Sequence, residues 1–305
     1  MMKQGFSWRV LVFIAPALLI YAVFSALPLL DTLRLGLYST DDTGARTFSG
    51  LANYATIQSD PQWATSFWNA MLNNLKFFGI HMLAQNPMGL LLAALLSLRN
   101  VRFAAFYRTV FFLPTLLSVV IVGFVWQLIL SPLWGVSERL LGWLGLADWF
   151  APWLGLESSA LITLSLMSVW QYVGIPMMLI YAAMIAIPED VIEAAVVEGA
   201  SPWRIFWQIR LPLILPTLGL VTILTFVANF NAFDLVYTVK GGLAGPNYST
   251  DILGTLFYRT FFGYQSQVAS PTMGAAVATL MFLVILLGVG AYFLVVQRRL
   301  QRFAL

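Results

Sequence analysis

The chain reads Glu193-Ala194-Ala195-Val196-Val197-Glu198-Gly199 and, after nine further residues, Ile209-Arg210-Leu211-Pro212. This stretch is polar enough to lie in water, although apolar runs flank it on both sides. Pro188 before it is typical of the first position of a helix, and Gly199 predicts a left-handed end to that helix. Ser201 and Pro202 predict the start of a second helix. We therefore expect two short helices that meet at a glycine outside the bilayer.

The composition is that of a membrane protein. The chain has 305 residues, of which 60% are hydrophobic and 10% are charged, whereas about a quarter of the residues in soluble domains are charged. Six stretches are long and apolar enough to cross a bilayer, and they cover residues 10–30, 71–98, 108–130, 160–187, 213–236 and 273–296. We predict an all-α, six-span membrane domain with a loop at 188–212. Pro87, Pro176 and Pro216 lie inside spans and are expected to kink them.

Basic residues indicate which side of the membrane each loop occupies, because cytoplasmic loops are enriched in Lys and Arg. The loops on the side of Glu193 carry about twice as many basic residues as those on the other side. Both termini share the side of Glu193 when the number of spans is even. The loop and both termini are therefore expected in the cytoplasm.

Two longer segments lie on the predicted outer side. Residues 31–70 carry Asp41, Asp42, Asp60 and the turn formers Thr43-Gly44, which predict a loop with little regular structure. Residues 131–158 mix Trp with Gly and Pro, which favours amphipathic helices at the membrane surface. An ordinary packed loop explains the second segment equally well, so both interpretations remain open at this point.

Several kinds of chemistry are excluded or disfavoured. The chain has no cysteine, so it holds no disulfide, thiolate nucleophile or cysteine metal site. A lone histidine among apolar residues, here His81, is expected to be a packed, hydrogen-bonded side chain rather than a metal or proton site. No lysine follows a glycine, which excludes the phosphate-binding loop of an ATPase. The basic residues are scattered rather than clustered, so nucleic acid is not an expected partner.

The order Glu-Ala-Ala, three residues, Gly, nine residues, Ile-x-Leu-Pro resembles the coupling loop of bacterial binding-protein-dependent ABC importer permeases. Further segments resemble the carbohydrate branch of that family, of the maltose and glycerol-phosphate type. They are Gly50-Leu51-Ala52-Asn53-Tyr54, Phe106-Tyr107-Arg108-Thr109, Phe111-Phe112-Leu113-Pro114, Val125-Trp126, and Phe233-Asp234 with Gly241-Gly242. The resemblance covers almost the whole chain. It implies a multi-pass permease of the bacterial inner membrane for a sugar, oligosaccharide or sugar derivative, and a transport subunit rather than an enzyme.

The resemblance also implies the other parts of an importer. These are a second homologous permease, two ATP-binding subunits that bind ATP and Mg, and a periplasmic substrate-binding protein, while this chain would hold no cofactor or metal. Contact with the ATPase is expected at Glu193, Ala194, Ala195, Gly199, Trp203, Phe206 and Pro212. Glu193 would meet a basic group there, Gly199 would permit the turn, and the apolar side chains would pack into a cleft.

Polar residues inside spans are costly in lipid and normally face a bundle interior or water. The fourth and fifth spans supply the best candidates for substrate contacts, which are Ser168, Gln171, Tyr172, Asn229, Phe230 and Asn231. Amides and hydroxyls can bond to sugar hydroxyls, and aromatic faces can stack on pyranose rings. The resemblance supports these positions, because the maltose-type family places its sugar contacts in the corresponding parts of both spans. Polar residues that only hold helices together remain the alternative.

Lys76 and Lys240 depart from the family pattern near the predicted outer mouth. An anionic substrate attracted by these lysines is one hypothesis, and simple snorkelling to the interface is the interpretation we favour. An ion-gradient-driven secondary transporter is the alternative function, but such proteins often carry paired carboxylates or histidines in their spans. Only Asp234 is a plausible acid near a span. A structural scaffold or receptor would leave the polar spans unexplained.

Overall fold

The computed structural model describes residues 8–41, 44–98, 101–265 and 267–300. Lys3, Asp42 and Thr43 lie outside these ranges. The α-helices are α1 Trp8–Tyr21, α2 Leu27–Leu35, α3 Ala52–Ser59, α4 Pro61–Ile80, α5 Asn86–Leu96, α6 Ala104–Phe112, α7 Val119–Ile129, α8 Val136–Trp143, α9 Ala160–Tyr172, α10 Gly174–Ile185, α11 Glu189–Val197, α12 Pro202–Ile205, α13 Leu211–Phe230, α14 Asp234–Lys240, α15 Leu253–Phe262, α16 Pro271–Ala291 and α17 Arg298–Leu300. Two short strands, β1 Tyr38–Thr40 and β2 Arg46–Phe48, pair antiparallel.

The described helices agree with a six-span, all-α membrane protein. Four continuous helical stretches are long and apolar enough to cross a membrane, and they are Val12–Leu35, Pro61–Leu96, Pro202–Lys240 and Pro271–Leu300. Two further pairs reach this length only together, because α6 and α7 are bent by 96° and α9 and α10 by 44°. Counting each bent pair as one span gives six. The second span begins at Pro61, ten residues before the predicted start.

Prolines explain three local changes in helix geometry. Wider π-helical turns occur at Ala22–Ala26, His81–Gln85 and Phe206–Arg210. A proline stands two residues after the end of each turn, and these prolines are Pro28, Pro87 and Pro212. A proline has no N–H for the carbonyl four residues back and its ring clashes with that carbonyl, so the hydrogen-bond ladder widens there. Pro216, in contrast, lies inside the unbroken helix α13.

Among the described residues, those between 8 and 65 and between 257 and 282 form one compact unit. The β1–β2 hairpin and α3 belong to this unit, so the expectation of little regular structure in 31–70 is wrong. The buried side chain of Asn53 donates to the carbonyls of Gly36 and Tyr38 at 2.9 and 2.7 Å. The Asn53 amide thus supplies hydrogen-bond donors to two backbone carbonyls at the start of the hairpin. No sequence pattern indicates this pairing. The turn residue Gly44, with φ at +83°, links the two strands.

The described residues between 66 and 256 and between 283 and 300 form the second compact unit, which holds two apolar clusters. One apolar cluster joins α5, α10 and α13 through Ala93, Met177, Ile180, Ile214 and Val221. Gly89 lets α5 approach α10, because a Cβ there would lie 3.0 Å from the ring of Pro176. A second cluster joins α9, α14 and the segment that follows α14. Together these clusters position the helices around the cavity described below.

Three asparagines on α4, which we call the asparagine row, bind the segment at 248–253. Asn69 donates to the carbonyl of Tyr248 at 2.9 Å, and Asn73 donates to that of Asp251 at 2.9 Å. Asn74 donates to the carbonyl of Asn229 at 2.9 Å and accepts from the N–H of Leu253 at 2.8 Å. Asn74 is fully buried, so its two bonds replace those that water would otherwise supply. The asparagine row therefore holds an irregular segment against the second span.

Residues 131–158 contain one α-helix, α8, and a short 3-10 turn at Ala147–Trp149. Trp134, Trp143 and Trp149 are exposed in this segment. A helix with exposed tryptophans fits the predicted amphipathic surface helix, and its place at the membrane surface stays a prediction.

Candidate functional site

A cavity of about 480 Å³ lies in the second unit, between the π turn at His81–Gln85 and helices α9, α10, α13 and α14. Most of its wall is apolar, with Phe77, Ile175, Leu224 and Phe233 among the contributors. The polar side chains in the wall are His81, Gln85, Ser168, Tyr172, Thr225, Asn229, Asn231 and Asp234. A mostly apolar cavity with a few convergent polar groups is the usual form of a small-molecule site.

His81 and Ser168 form a buried pair at this wall. The Nδ1 atom of His81 lies 2.8 Å from the carbonyl oxygen of Phe77, and its Nε2 atom lies 3.0 Å from Ser168 Oγ. The imidazole is 2% exposed. The prediction of a packed, hydrogen-bonded histidine is therefore confirmed. Sequence reasoning missed that the same side chain lines the cavity, because its neighbour Ser168 is 87 positions away.

Four of the six predicted substrate contacts line the cavity. They are Ser168, Tyr172, Asn229 and Asn231. Asn229 is buried on α13, while Asn231 and Asp234 are exposed in the segment where α13 ends and α14 begins. Gln85 and Thr225 also line the cavity and were not predicted. Both are polar residues inside apolar stretches, which is the pattern that singled out the predicted contacts. The cavity thus joins residues of the second, fourth and fifth predicted spans.

Gln171 and Phe230 lie outside the wall of the cavity. Gln171 is 0% exposed, and its Nε2 donates to the carbonyl of Leu117 at 3.1 Å. That carbonyl lies at the bend between α6 and α7, where the helical ladder is interrupted. Phe230 is buried against Phe226, with ring centroids 4.6 Å apart. In this conformation both side chains support the walls rather than face the cavity.

We expect Gln171→Leu to reduce stability rather than substrate recognition. Leucine cannot donate to the Leu117 carbonyl, and loss of a buried hydrogen bond costs about 1 kcal/mol. The midpoint of thermal unfolding should fall by a few degrees, while the substrate concentration for half-maximal uptake stays unchanged. Ser168→Ala is the comparison, because Ser168 lines the cavity and should alter that concentration. An altered substrate concentration for Gln171→Leu with unchanged stability would contradict this assignment.

Neither lysine lines the cavity. The Nζ atom of Lys240 donates to the backbone carbonyl of Leu154, which ties the end of α14 to the segment 131–158. Lys76 is exposed on α4, whereas the neighbouring Asn73, Asn74 and Phe77 are buried. The anion-sensing role of these lysines stays a hypothesis, and it does not involve the wall of this cavity.

The loop at 188–212 has the predicted turn at Gly199, but its second helix is not a separate short helix, because α12 continues through the π turn at Phe206–Arg210 into α13. Helices α11 and α12 are joined at Gly199, whose φ is +80°. Ser201 is the N-cap of α12, and its Oγ accepts from the N–H of Arg204 at 3.3 Å. α11 begins at Glu189, one residue after Pro188, with two acidic residues in its first turn. Local signals alone were sufficient to predict the turn and the N-cap, but not the continuation of α12 into the fifth span.

The exposed surface of the loop differs from the predicted one. Ala195 is buried and Phe206 is half-buried against the chain's own core, so each exposes less apolar surface than predicted. Val197 and Trp203 are 87% and 72% exposed. Glu193, Ala194 and Val196 are exposed as well, and Pro212 is half-buried at the start of α13. The exposed apolar side chains of this loop are therefore Ala194, Val196, Val197 and Trp203, and they lie beside the exposed Glu193.

A family model described as "Binding-protein-dependent transport system inner membrane component" matches residues 85–302. The chain belongs to this family. As a member of the binding-protein-dependent transport family, it is an integral protein of the inner membrane and the permease subunit of an ABC importer. Members of this family are transport components rather than enzymes.

Individual relatives agree with the membership. The probable ABC transporter permease protein YurN of Bacillus subtilis is 32% identical, over 85% of this chain and 88% of the relative. The lactose transport system permease protein LacF of Rhizobium radiobacter is 29% identical, over 93% of both chains. A chain in the crystal structure of a bacterial alginate ABC transporter, in complex with an alginate pentasaccharide-bound periplasmic protein, has a TM-score of 0.76 at 22% identity. The matched region covers 92% of this permease and 91% of the alginate transporter chain, and it shows that both share a fold.

Proposed function

We propose that this permease forms half of the translocation path of an ATP-driven importer for a sugar, oligosaccharide or sugar derivative. The observation that carries the proposal is the cavity, in which hydroxyl, amide and aromatic groups converge within an otherwise apolar wall. Such groups suit a polyhydroxylated solute, whose hydroxyls exchange hydrogen bonds and whose ring faces are apolar. The relation to a lactose permease supports this substrate class.

Within the cavity, Ser168, Tyr172, Asn229 and Asn231 are the proposed substrate contacts. Each lines the wall, and together they offer two amides, a serine hydroxyl and a phenol. His81 and Gln85 add polar groups from the facing π turn. Gln171 and Phe230 contribute indirectly, because they pack behind these contacts and hold the helix bend and the aromatic cluster.

The remaining parts of the importer are proposed from the loop and from the family. Two ATP-binding subunits bind ATP and Mg, and one of them receives the loop, with Val197 and Trp203 as apolar contacts and Glu193 facing a basic group. Large apolar side chains exposed on a polar loop are typical of a protein interface. A second, homologous permease completes the path, and a periplasmic binding protein delivers the substrate. The loop and both termini lie in the cytoplasm in this arrangement, in agreement with the distribution of basic residues.

Transport in this proposal is a rigid-body movement. Closure of the ATPase pair on ATP moves α11 and α12, and the helices continuous with them rock the cavity between outward and inward states. The bends between α6 and α7 and between α9 and α10 are places where such movement can be absorbed.

Copurification from the membrane tests the proposal. Wild-type permease, solubilised in mild detergent, should retain two ATP-binding subunits, and Glu193→Lys should lose most of them because the charge at the interface is reversed. Glu138→Lys is the matched control, since Glu138 is exposed on α8 and away from the loop. Uptake should also stop when ATP is depleted and continue when ion gradients are collapsed. Absence of any ATPase subunit, or uptake that follows the ion gradient, would support a secondary transporter instead.

A further inference from the structure

The polar groups at the cavity wall share a hydrogen-bonding pattern that begins with Ser168. The Phe77 carbonyl can only accept, so Nδ1 of His81 carries the proton in their 2.8 Å contact. In a neutral imidazole Nε2 is then the acceptor, and Ser168 donates its only O–H to it at 3.0 Å. Towards a ligand, Ser168 can therefore act only as a hydrogen-bond acceptor, through the lone pairs of its oxygen.

The three amides in the wall are oriented in the same way. Asn229, Asn231 and Gln85 each donate an amide N–H to a backbone carbonyl of the chain, at 2.7, 2.9 and 3.2 Å. Their side-chain carbonyl oxygens accept no hydrogen bond from any residue that the structure describes. Thr225 likewise donates its O–H within the chain, to Val221 O at 2.8 Å. The wall therefore offers mostly acceptors, and its free donors are the Tyr172 hydroxyl and the second amide hydrogens.

The charged side chains of the wall also disfavour an anion. Asp234, exposed at the first residue of α14, is the acidic side chain in the wall. Neither lysine nor arginine occurs among the described residues that line the cavity. An ionised carboxylate or sulfonate has no N–H or O–H to donate, so it cannot pair with the acceptors of this wall, and Asp234 would repel it.

We propose that the cavity selects a polyhydroxylated solute without negative charge, either neutral or bearing an ammonium group. This inference rests on the proposed function, since it names the chemical class of the sugar. The hydroxyls or ammonium of such a solute donate to Ser168, Asn229, Asn231 and Gln85. Asp234 favours the ammonium form and rejects the anion, and it acts as the specificity-determining residue of the set.

Direct binding to the permease pair with its ATPase subunits, in nanodiscs and without the periplasmic protein, tests the inference. The probes are glucose, glucosamine and glucuronate, together with the linear trimers of glucose, glucosamine and galacturonate, measured by calorimetry. Within the series that binds, the uronate should be weaker than the amino sugar by about tenfold or more. Asp234→Asn should reduce that ratio by about tenfold. Asp148→Asn removes an exposed carboxylate that does not line the cavity, and it should leave the ratio unchanged.

The possible outcomes separate this inference from the proposed function. A uronate that binds as tightly as the neutral or the amino sugar, or a ratio that Asp234→Asn does not change, overturns the charge selection and leaves sugar transport standing. If neither series binds and the complete importer takes up none of the six compounds, the sugar assignment fails and the inference fails with it. The predicted order with the predicted response of Asp234→Asn supports both.

Discussion

Gly174→Val is expected to destabilise the permease by about 3 kcal/mol, near the upper end of overpacking effects. Gly174 is the first residue of α10, and a Cβ at this position would lie 2.7 Å from both Phe111 O and Phe112 Cα. Both are backbone atoms, so α6 itself has to move. The expected result is a thermal unfolding midpoint several degrees lower and less folded protein in size-exclusion chromatography.

Gly79→Val is the matched control for this prediction. It adds the same atoms inside α4, where a Cβ would meet nothing within 4 Å. The cost of a β-branched residue in a helix is shared by both variants, so the difference between them measures the contact of α10 with α6. Equal shifts of the two unfolding midpoints would show that the approach of α10 to α6 is not tight.

Gly199→Ala is expected to lower ATP-driven uptake by about tenfold, because a left-handed φ costs a residue with a Cβ about 1–2 kcal/mol. The φ of Gly199 is +80°, and a Cβ there would meet nothing within 4 Å, so the cost comes from the backbone alone. Relaxing that strain turns α12 relative to α11 and misplaces Trp203 against Val197. Uptake and ATP hydrolysis, measured together in proteoliposomes, should show less transport for each ATP consumed.

Gly145→Ala provides the comparison for the loop. Gly145 has a φ of +72° with nothing within 4 Å of a Cβ, but it lies in the segment 131–158 rather than in the loop. It should carry the same backbone cost while leaving the ratio of transport to ATP consumed near that of the wild type. If the ratio of transport to ATP consumed falls equally in both variants, backbone strain in general is responsible and the loop has no special role.

The sequence predicted best what depends on neighbours in the chain. Gly199 and Ser201 have the roles expected of a left-handed turn and an N-cap, because both are set within a few residues. The prolines were partly predictive. Pro87 follows a π turn and Pro176 lies just after the bend at Val173, whereas Pro216 interrupts no helix. The sharper bend, at 96° between α6 and α7, was not predicted at all.

Side-chain roles in the site depended on partners far along the chain. Polarity inside an apolar stretch singled out Ser168 and Asn229, which line the cavity, but it could not separate them from Gln171, which does not. Which of these faces the cavity depends on the rotation of α9, and the partner of Gln171 is Leu117, 54 positions earlier. The same limitation hid the burial of Ala195 and the packing of Phe206 against the apolar cluster of α5, α10 and α13.

The asparagine row has a consequence for how the protein is made. Asn73 and Asn74 bind groups that lie 178 and 179 positions later in the chain. At about 5–20 residues per second, ribosomes need about 9–36 s to synthesise that stretch. The second span therefore leaves the translocon with two buried amides whose final partners do not yet exist. Its insertion and its final packing are separate events, and the second waits for the fifth span and the segment that follows it.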